Sequence, residues 1–294
     1  MPEFPFDWVD AFTDRAFGGN GCAVVHGGAV LDAESCMAYV RETSLVECTF
    51  TGPSDVADLR VRYFLASREI PFAGHPTIAT VSALRARGMF SGDRIVLETG
   101  AGPVAVECRD DLIIMDQVAP QFGQMVDPAY VAAAIGLTPE DFLAPPQLVS
   151  TGLPFCVTVL RDKDALRRAQ IASDALARLC ASLGHDGTDL LEPFLVTLGG
   201  ETAGGDTFSR LLLAPPSPPE DPFTGSATGA MAAYLWHHGL MAKDSFVAEQ
   251  GHWMGRPGQA LVTRLGPVTA MTGVRVAGSA CRVMSGIVQF PDVI

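Results

Sequence analysis

A 22-residue segment occurs twice in this chain: EIPFAGHPTIATVSALRARGMF fills positions 69–90, and EDPFTGSATGAMAAYLWHHGLM fills positions 220–241. The two copies align without a gap, and eight of their 22 positions are identical. Their offset of 151 residues is about half of the 294-residue chain. Solenoid repeats recur every ~20–50 residues, so an offset this large predicts a duplicated domain instead. The identical residues cluster around the Pro-Phe-X-Gly loop, not along the apolar face of a helix.

Each copy of the segment reads as a strand that leads into a loop and then into a helix. The pattern behind the loop predicts helices over about 77–86 and 228–238. Gly88 and Gly239 are placed to end these helices, because glycine adopts the left-handed conformation found at helix C-termini. A loop glycine lets a ligand approach the backbone, and the helix N-terminus offers free N–H groups. Two such units facing each other would bind a small anion, most simply a carboxylate; the alternative is a pair of ordinary strand-to-helix turns.

The rest of the chain reads as short strands with a few helices. Helical patterns recur at about 33–41, 128–135 and 174–183, and Gly184 ends the last of them. Stretches that alternate or are rich in β-branched residues predict strands at 59–64, 94–98, 104–108, 112–116, 194–198, 260–265 and 282–290. Each half is therefore predicted to be a mostly antiparallel sheet wrapped around a central helix, which is an α+β fold.

Composition excludes several classes of function. The length exceeds the ~250 residues at which one core usually stops growing, so two domains are expected. A net charge of −13 without a basic stripe argues against nucleic acid and anionic membranes as partners. The seven cysteines form no Cys-X-X-Cys pair and the histidines have no metal-ligand spacing, which predicts reduced thiols and no metal. No signal peptide and no run of ~18 apolar residues is visible, so we expect a cytoplasmic protein.

Five motifs carry a family resemblance. They are VDAFT at 9–13 with Gly19-Asn20 behind it, VECTF at 46–50, REIPFAGHPT at 68–77, EDPFTGSA at 220–227 and QGHWMGRPG at 250–258. In this order they resemble the PhzF-type phenazine-biosynthesis family, whose fold is that of diaminopimelate epimerase. The resemblance covers nearly the whole chain and implies two pseudo-symmetric domains with the active site in the cleft between them. We expect one domain at 1–118 with a C-terminal strand at about 278–294, and the other at 119–277.

The resemblance also implies an activity. In epimerases of this fold, two cysteines in the facing loops are the acid and the base, and the corresponding positions here look like Ala73 and Thr224. Alanine cannot ionise, so a two-thiol racemase mechanism is excluded at this site. The family instead uses one carboxylate, here Glu47, to take a proton from one carbon and return it to another. That isomerisation of a dihydro-hydroxyanthranilate needs neither a metal nor an organic cofactor.

The remaining site residues are carried over position by position. His75 would hydrogen-bond the substrate or relay a proton, and Asp221 would position its amine or hydroxyl group. Ser226 would hold a carboxylate together with backbone N–H groups near Gly74 and Gly225. Each residue also has a structural interpretation: His75 as a residue at a helix start, Asp221 in an Asx turn before proline, and Ser226 as a helix cap. QGHWMGRPG receives no role from the resemblance.

Taken alone, Glu47 is a weaker candidate. It stands in an uncharged stretch from Thr43 to Gly52, where burial would raise its pKa from about 4.3 toward the ~6–7 that suits an acid–base catalyst. The alternative is an exposed residue of a strand. Cys48 follows it in the sequence, but its side chain should point to the opposite face of the strand.

The sequence thus predicts an isomerase that shifts a proton, and with it a double bond, on a small amino- or hydroxy-carboxylate in a natural-product pathway such as antibiotic biosynthesis. Departures from the common motifs, such as Thr228 and Gly21, make other natural-product precursors as plausible as the phenazine precursor. A dehydratase or epimerase-type relative acting on an amino acid derivative, or a catalytically silent carboxylate-binding protein, is the alternative. The family suggests a homodimer.

Overall fold

A computed structural model describes residues 1–184, 191–215 and 217–291 of the chain. The fold consists of six α-helices and eighteen strands within these residues. The strands are β1 Glu3–Ala11, β2 Asn20–Val25, β3 Glu47–Gly52, β4 Leu59–Phe64, β5 Glu69–Ile70, β6 Arg94–Thr99, β7 Gly102–Arg109, β8 Leu112–Val118, β9 Gln121–Met125, β10 Gln147–Ser150, β11 Pro154–Leu160, β12 Pro193–Leu198, β13 Thr207–Leu212, β14 Glu220–Asp221, β15 Ser245–Gln250, β16 Gly258–Leu265, β17 Gly273–Gly278 and β18 Ala280–Gln289. The helices are α1 Ala33–Thr43, α2 Gly74–Ala86, α3 Pro128–Ala134, α4 Lys163–Arg168, α5 Ser173–Ser182 and α6 Gly225–His237. None of these helices is both long enough and apolar enough to cross a membrane.

The chain divides into two compact units. The first comprises Met1–Asp116 with Ala277–Ile294, and the second comprises Gln117–Val276. In the first unit, the C-terminal strand β18 pairs antiparallel with β1, which explains how the end of the chain joins the N-terminal unit.

The two units repeat the same order of strand pairing. In the first, β2 and β3 are parallel, β4 is antiparallel to β3 and to β5, and β4 is parallel to β6. In the second, β11 and β12 are parallel, β13 is antiparallel to β12 and to β14, and β13 is parallel to β15. The register repeats as well, since Tyr63 faces Ile70 and Leu211 faces Asp221. The sequence repeat is therefore a repeat of topology.

One helix in each unit is buried on nearly all sides. The residues of α2 from Gly74 to Val81 are all buried, and so are the residues of α6 from Ala227 to Trp236. A helix without a polar face is a core element, which agrees with the predicted central helix of each half. In the first unit α2 contacts β1, β2, β3 and β18, and in the second α6 contacts β10, β11, β12 and β16.

Both central helices begin three residues earlier than predicted, at Gly74 and Gly225 instead of Thr77 and Thr228. The loop glycine is already the first helical residue, because the residue before it has the non-helical backbone of an N-cap. The predicted ends are confirmed: Gly88 has φ +68° and Gly239 has φ +67°, the left-handed conformation that glycine adopts at low cost.

Candidate functional site

Two loops, one in each unit, contain the candidates Gly74, Asp221 and Gly225 and directly precede His75 and Ser226. We call residues 69–74 the first loop and residues 220–225 the second loop. Each loop is fixed by an arginine of the preceding strand. The Arg62 guanidinium donates to both oxygens of Glu69, at 2.8 and 2.7 Å. Arg210 donates to both oxygens of Glu220, at 3.0 and 2.7 Å. Paired hydrogen bonds of this kind fix the relative orientation of the two side chains as well as strengthening their interaction.

The residue immediately before each central helix occupies the N-cap position. Ala73 is the N-cap of α2 and Thr224 is the N-cap of α6, and neither side chain makes a capping hydrogen bond. The two positions compared with the racemase cysteines are thus structurally equivalent, and neither holds a thiol. The first N–H groups of each helix therefore lack a side-chain cap, which favours binding of an anion such as a carboxylate.

Glu47 and His75 come together in the first unit. Glu47 begins β3, beside Cys22 of the parallel strand β2, and His75 lies in the first turn of α2. His75 Nδ1 is 3.4 Å from Glu47 Oε2 and 3.2 Å from Asn20 Nδ2. The Glu47 side chain is 14% exposed and that of His75 is 5% exposed. Glu47 is therefore neither the fully exposed strand residue of the alternative interpretation nor a core residue.

The electrostatics of His75 follow from its burial. Burial lowers the pKa of His75 to about 3 and outweighs an opposing contribution from the Gly21 backbone. The imidazole is therefore neutral at pH 7, with one nitrogen able to donate and the other able to accept. Its Nδ1 faces a carboxyl oxygen and an amide, while its buried Nε2 has no hydrogen-bond partner among the described residues. A neutral imidazole next to a carboxyl group can share a single proton with it.

Cys48 takes no part in this arrangement. It lies in the apolar cluster of the first unit with Phe50 and Phe64 and is 0% exposed. Burial raises the pKa of its thiol to about 12, so it stays protonated and is a poor base. The predicted separation of Glu47 and Cys48 onto opposite faces of the strand agrees with these positions.

The second unit holds the other three candidates. Asp221 ends β14, is 4% exposed and accepts a hydrogen bond from the hydroxyl of Thr224. Gly225 and Ser226 are the first two residues of α6, and the side chain of Ser226 is partly exposed. Ser226 does not cap α6, since the N-cap position belongs to Thr224. It follows the N-cap by two residues, as His75 follows Ala73 in the first unit.

Gln250 and Gly251 of the unassigned motif support the second loop. Gln250 Nε2 donates to the carbonyl of Asp221 at 2.7 Å, and Gln250 Oε1 accepts from the N–H of Thr224 at 3.1 Å. Gly251 has φ +81°, and a side chain there would lie 2.5 Å from the carbonyl oxygen of Pro222. Sequence reasoning missed this function, although the motif itself was visible. Asn20 was likewise visible only as part of a motif.

Comparison with known proteins identifies the family. The sequence model of the family described as Phenazine biosynthesis-like protein, PhzC-PhzF, matches residues 9–286. The chain belongs to this family. The match spans all five motifs and confirms both the predicted family and the predicted fold class.

Individual relatives agree with the PhzF assignment. The uncharacterised isomerase YddE of Salmonella typhimurium is 34% identical over 275 residues, covering 87% of this chain and 88% of the relative. The trans-2,3-dihydro-3-hydroxyanthranilate isomerase of Pseudomonas aeruginosa is 30% identical, covering 95% and 96%. The crystal structure of a PhzF-family phenazine biosynthesis protein from Bacillus anthracis has a TM-score of 0.87 at 25% identity, covering 98% of this chain and 100% of that one. The chain is accordingly an isomerase of the PhzF family.

Proposed function

We propose that the protein is a cofactor-independent isomerase that shifts a proton on a small cyclic or unsaturated amino- or hydroxy-carboxylate. The observation that carries this proposal is the pairing of Glu47 with a neutral, buried His75 beside a helix N-terminus. Isomerase chemistry on trans-2,3-dihydro-3-hydroxyanthranilate, named for relatives at 30% identity, supports it. We infer a role in natural-product biosynthesis from the same relatives.

The reaction needs one proton carrier. Glu47 removes a proton from a carbon of the substrate, and the electron pair of that C–H bond moves into the adjacent π system. The protonated Glu47 then returns the proton to a second carbon on the same face, so that a double bond migrates and the atoms balance. His75 holds the Glu47 carboxyl group in place through Nδ1 and takes part in hydrogen bonding to the substrate.

The other candidates bind the substrate. Gly74 offers a backbone N–H at the uncapped start of α2, and Gly225 and Ser226 do so at the start of α6, where the Ser226 hydroxyl adds a further donor. Asp221 accepts a hydrogen bond from an amine or hydroxyl group. These roles are proposals, as are the homodimer and the cytoplasmic location expected from the sequence.

The alternatives make different demands on the loops. An epimerase needs a second acid–base group, and the first loop carries Ala73 where such a group would stand. A silent binding protein would bind a carboxylate without exchanging any of its protons. Proton exchange therefore separates the isomerase from a silent binding protein, and migration of the double bond separates it from an epimerase.

The experiment is to incubate the protein in D₂O with trans-2,3-dihydro-3-hydroxyanthranilate and a panel of unsaturated amino- and hydroxy-carboxylates. NMR and mass spectrometry then follow deuterium uptake and the position of the double bond. We expect uptake with bond migration that Glu47→Gln abolishes. Glu42→Gln, the same change at an exposed position of α1, is the matched control and should keep full activity. Exchange that survives in Glu47→Gln would refute the role of Glu47, and deuterium uptake with inversion but no bond migration would favour an epimerase.

A further inference from the structure

The internal repeat extends beyond the two loops to the strands behind them. At the same offset of 151 residues, β6 ends in Glu98-Thr99 and is followed by Gly100, and β15 ends in Glu249-Gln250 and is followed by Gly251. In both units the glutamate accepts a hydrogen bond from a hydroxyl group of the preceding hairpin, from Ser54 at 2.6 Å and from Thr202 at 2.5 Å. The equivalence of the two strand ends is therefore structural.

In both units the glycine after the strand lies against the proline of the loop. A side chain on Gly100 would lie 2.9 Å from Pro71 Cα, and one on Gly251 would lie 2.5 Å from the Pro222 carbonyl oxygen. The strand end thus supports each loop in the same way. Sequence differences between the two halves near the loops therefore occur within the same local backbone arrangement.

Among the positions at which the halves differ around the loops are four where at least one half carries a polar side chain. The first half has Ile70, Ala73, His75 and Thr99, and the second half has Asp221, Thr224, Ser226 and Gln250 in their place. Among the described residues, the Thr99 side chain makes hydrogen bonds within its own turn, donating to the Gly102 carbonyl at 2.7 Å and accepting from the Ala101 N–H at 3.2 Å. Neither of these two side-chain hydrogen bonds is made to the first loop.

In the second half, three of the four divergent residues form one hydrogen-bonded network. Gln250 donates through Nε2 to the Asp221 carbonyl at 2.7 Å and to Thr224 Oγ1 at 3.2 Å, and accepts the Thr224 N–H at 3.1 Å. Thr224 in turn donates its hydroxyl proton to the Asp221 carboxylate. Gln250 is 0% exposed, so water does not replace these bonds.

The network fixes the direction of each hydrogen bond. If the Gln250 amide were reversed, its oxygen would face the Asp221 carbonyl and its NH₂ group would face the Thr224 N–H, so only one orientation is bonded. Because Thr224 Oγ1 accepts from Gln250, its single proton is directed to Asp221. Asp221 is therefore held at two points: its backbone carbonyl accepts from Gln250, and its side-chain carboxylate accepts from Thr224.

We propose that Thr224 and Gln250 are positioning residues that orient the Asp221 carboxylate toward an amine or hydroxyl group of the substrate. The proposal rests on the proposed function only for the role of Asp221 as an acceptor. It explains why the unassigned motif contains glutamine at this point, and why the second loop carries a hydroxyl group where the first carries Ala73.

The test measures how much an amino group on the ligand strengthens binding, and it does not require catalysis. Anthranilate and benzoate differ by one amino group, and the dissociation constant of each is measured by isothermal titration calorimetry. A hydrogen bond to a charged acceptor predicts that the wild-type chain binds anthranilate about tenfold more tightly, or more. In Thr224→Val and Gln250→Met this ratio should fall to about 1 while the affinity for benzoate changes less than about threefold.

Two further variants separate positioning from folding. Thr224→Ser keeps the hydroxyl group and should retain the wild-type ratio. Thr99→Val removes a hydroxyl at the equivalent strand end of the first half and should leave the ratio unchanged even if it lowers the melting temperature. If Gln250→Met does not fold, the Thr224→Val and Thr224→Ser pair decides the question.

Several outcomes would overturn the proposal. One is a wild-type chain that binds neither anthranilate nor benzoate, or binds both equally. Another is a preference for anthranilate that survives in Thr224→Val. A third is equal weakening of anthranilate and benzoate binding in the variants, which would indicate a structural role only. The ratio does not depend on catalysis. A chain that shows the predicted ratios but no deuterium exchange would keep this proposal and refute the isomerase.

Discussion

Gly251→Ala tests the contact between the late motif and the second loop. Gly251 has φ +81°, and an added Cβ would lie 2.4 Å from the Arg256 carbonyl oxygen and 2.5 Å from that of Pro222. Ordinary contact between such atoms begins at 3.4 Å, so each carbonyl would have to move by about 0.9–1 Å. Both obstacles are backbone atoms, which cannot turn away as the end of a side chain can.

The expected cost has two parts. A left-handed backbone conformation costs a residue with a Cβ about 1–2 kcal/mol, and displacement of packed backbone adds about 1–3 kcal/mol. We therefore expect Gly251→Ala to lower the free energy of unfolding by about 2–5 kcal/mol. Gly239→Ala is the matched control, because Gly239 has φ +67° but no atom within 4 Å of the added Cβ, so only the first part applies.

The assay is urea denaturation of the wild-type chain and both variants, with anthranilate binding measured on the folded proteins. Gly251→Ala should be the less stable variant and should also weaken the preference for anthranilate over benzoate, because Pro222 adjoins Asp221. Gly239→Ala should keep that preference. Equal loss of stability in the two variants would refute the contact between Gly251 and the second loop.

Three further predictions concern His75, the loop arginines and the cysteines. Because burial lowers the pKa of His75 from 6.5 to about 3, the unfolded chain binds one more proton between these pH values. The free energy of unfolding should therefore fall as the pH drops through this window. In urea denaturation, His75→Gln should reduce the slope of the unfolding free energy against pH by up to about 1.4 kcal/mol per pH unit. Equal slopes in the wild-type chain and the variant would contradict the burial of His75. Arg210→Met should lower the free energy of unfolding by about 2–4 kcal/mol, because it removes the ion-pair partner of the nearly buried Glu220 carboxylate. Arg41→Met, in an exposed pair, should lower it by less than about 1 kcal/mol. Equal losses of stability in thermal denaturation would refute this difference. Six of the seven cysteines are buried, so a thiol reagent should label Cys281 alone in the native protein and all seven in denaturant, and rapid native labelling of a second thiol would be the contrary result.

The fold was largely predictable from the sequence because its signals are local. Gly88 and Gly239 end their helices as the left-handed preference of glycine requires. Strand β4 lies at the predicted residues 59–64. The starts of α2 and α6 were predicted three residues late, because the apolar pattern begins only after the loop glycine has already entered the helix.

The site was predictable only in part because its contacts are not local. Glu47 and His75 are 28 residues apart in the sequence, and their 3.4 Å separation depends on the parallel pairing of β2 with β3 and on the burial of α2. Gln250 reaches the second loop from 26 residues away. One signal could have indicated it: the repeat at offset 151 continues through Glu98 and Glu249, which places Gln250 behind its loop.

The most direct test of the central claim is the fate of the proton that Glu47 carries. A substrate deuterated at the carbon that loses its proton is converted in H₂O, and the product is analysed for deuterium at the carbon that gains one. A single carboxylate that both takes and returns the proton predicts that part of the label appears at the new position within the same molecule, and that Glu47→Gln forms no product. Complete loss of the label to solvent together with product formation by Glu47→Gln would contradict the account.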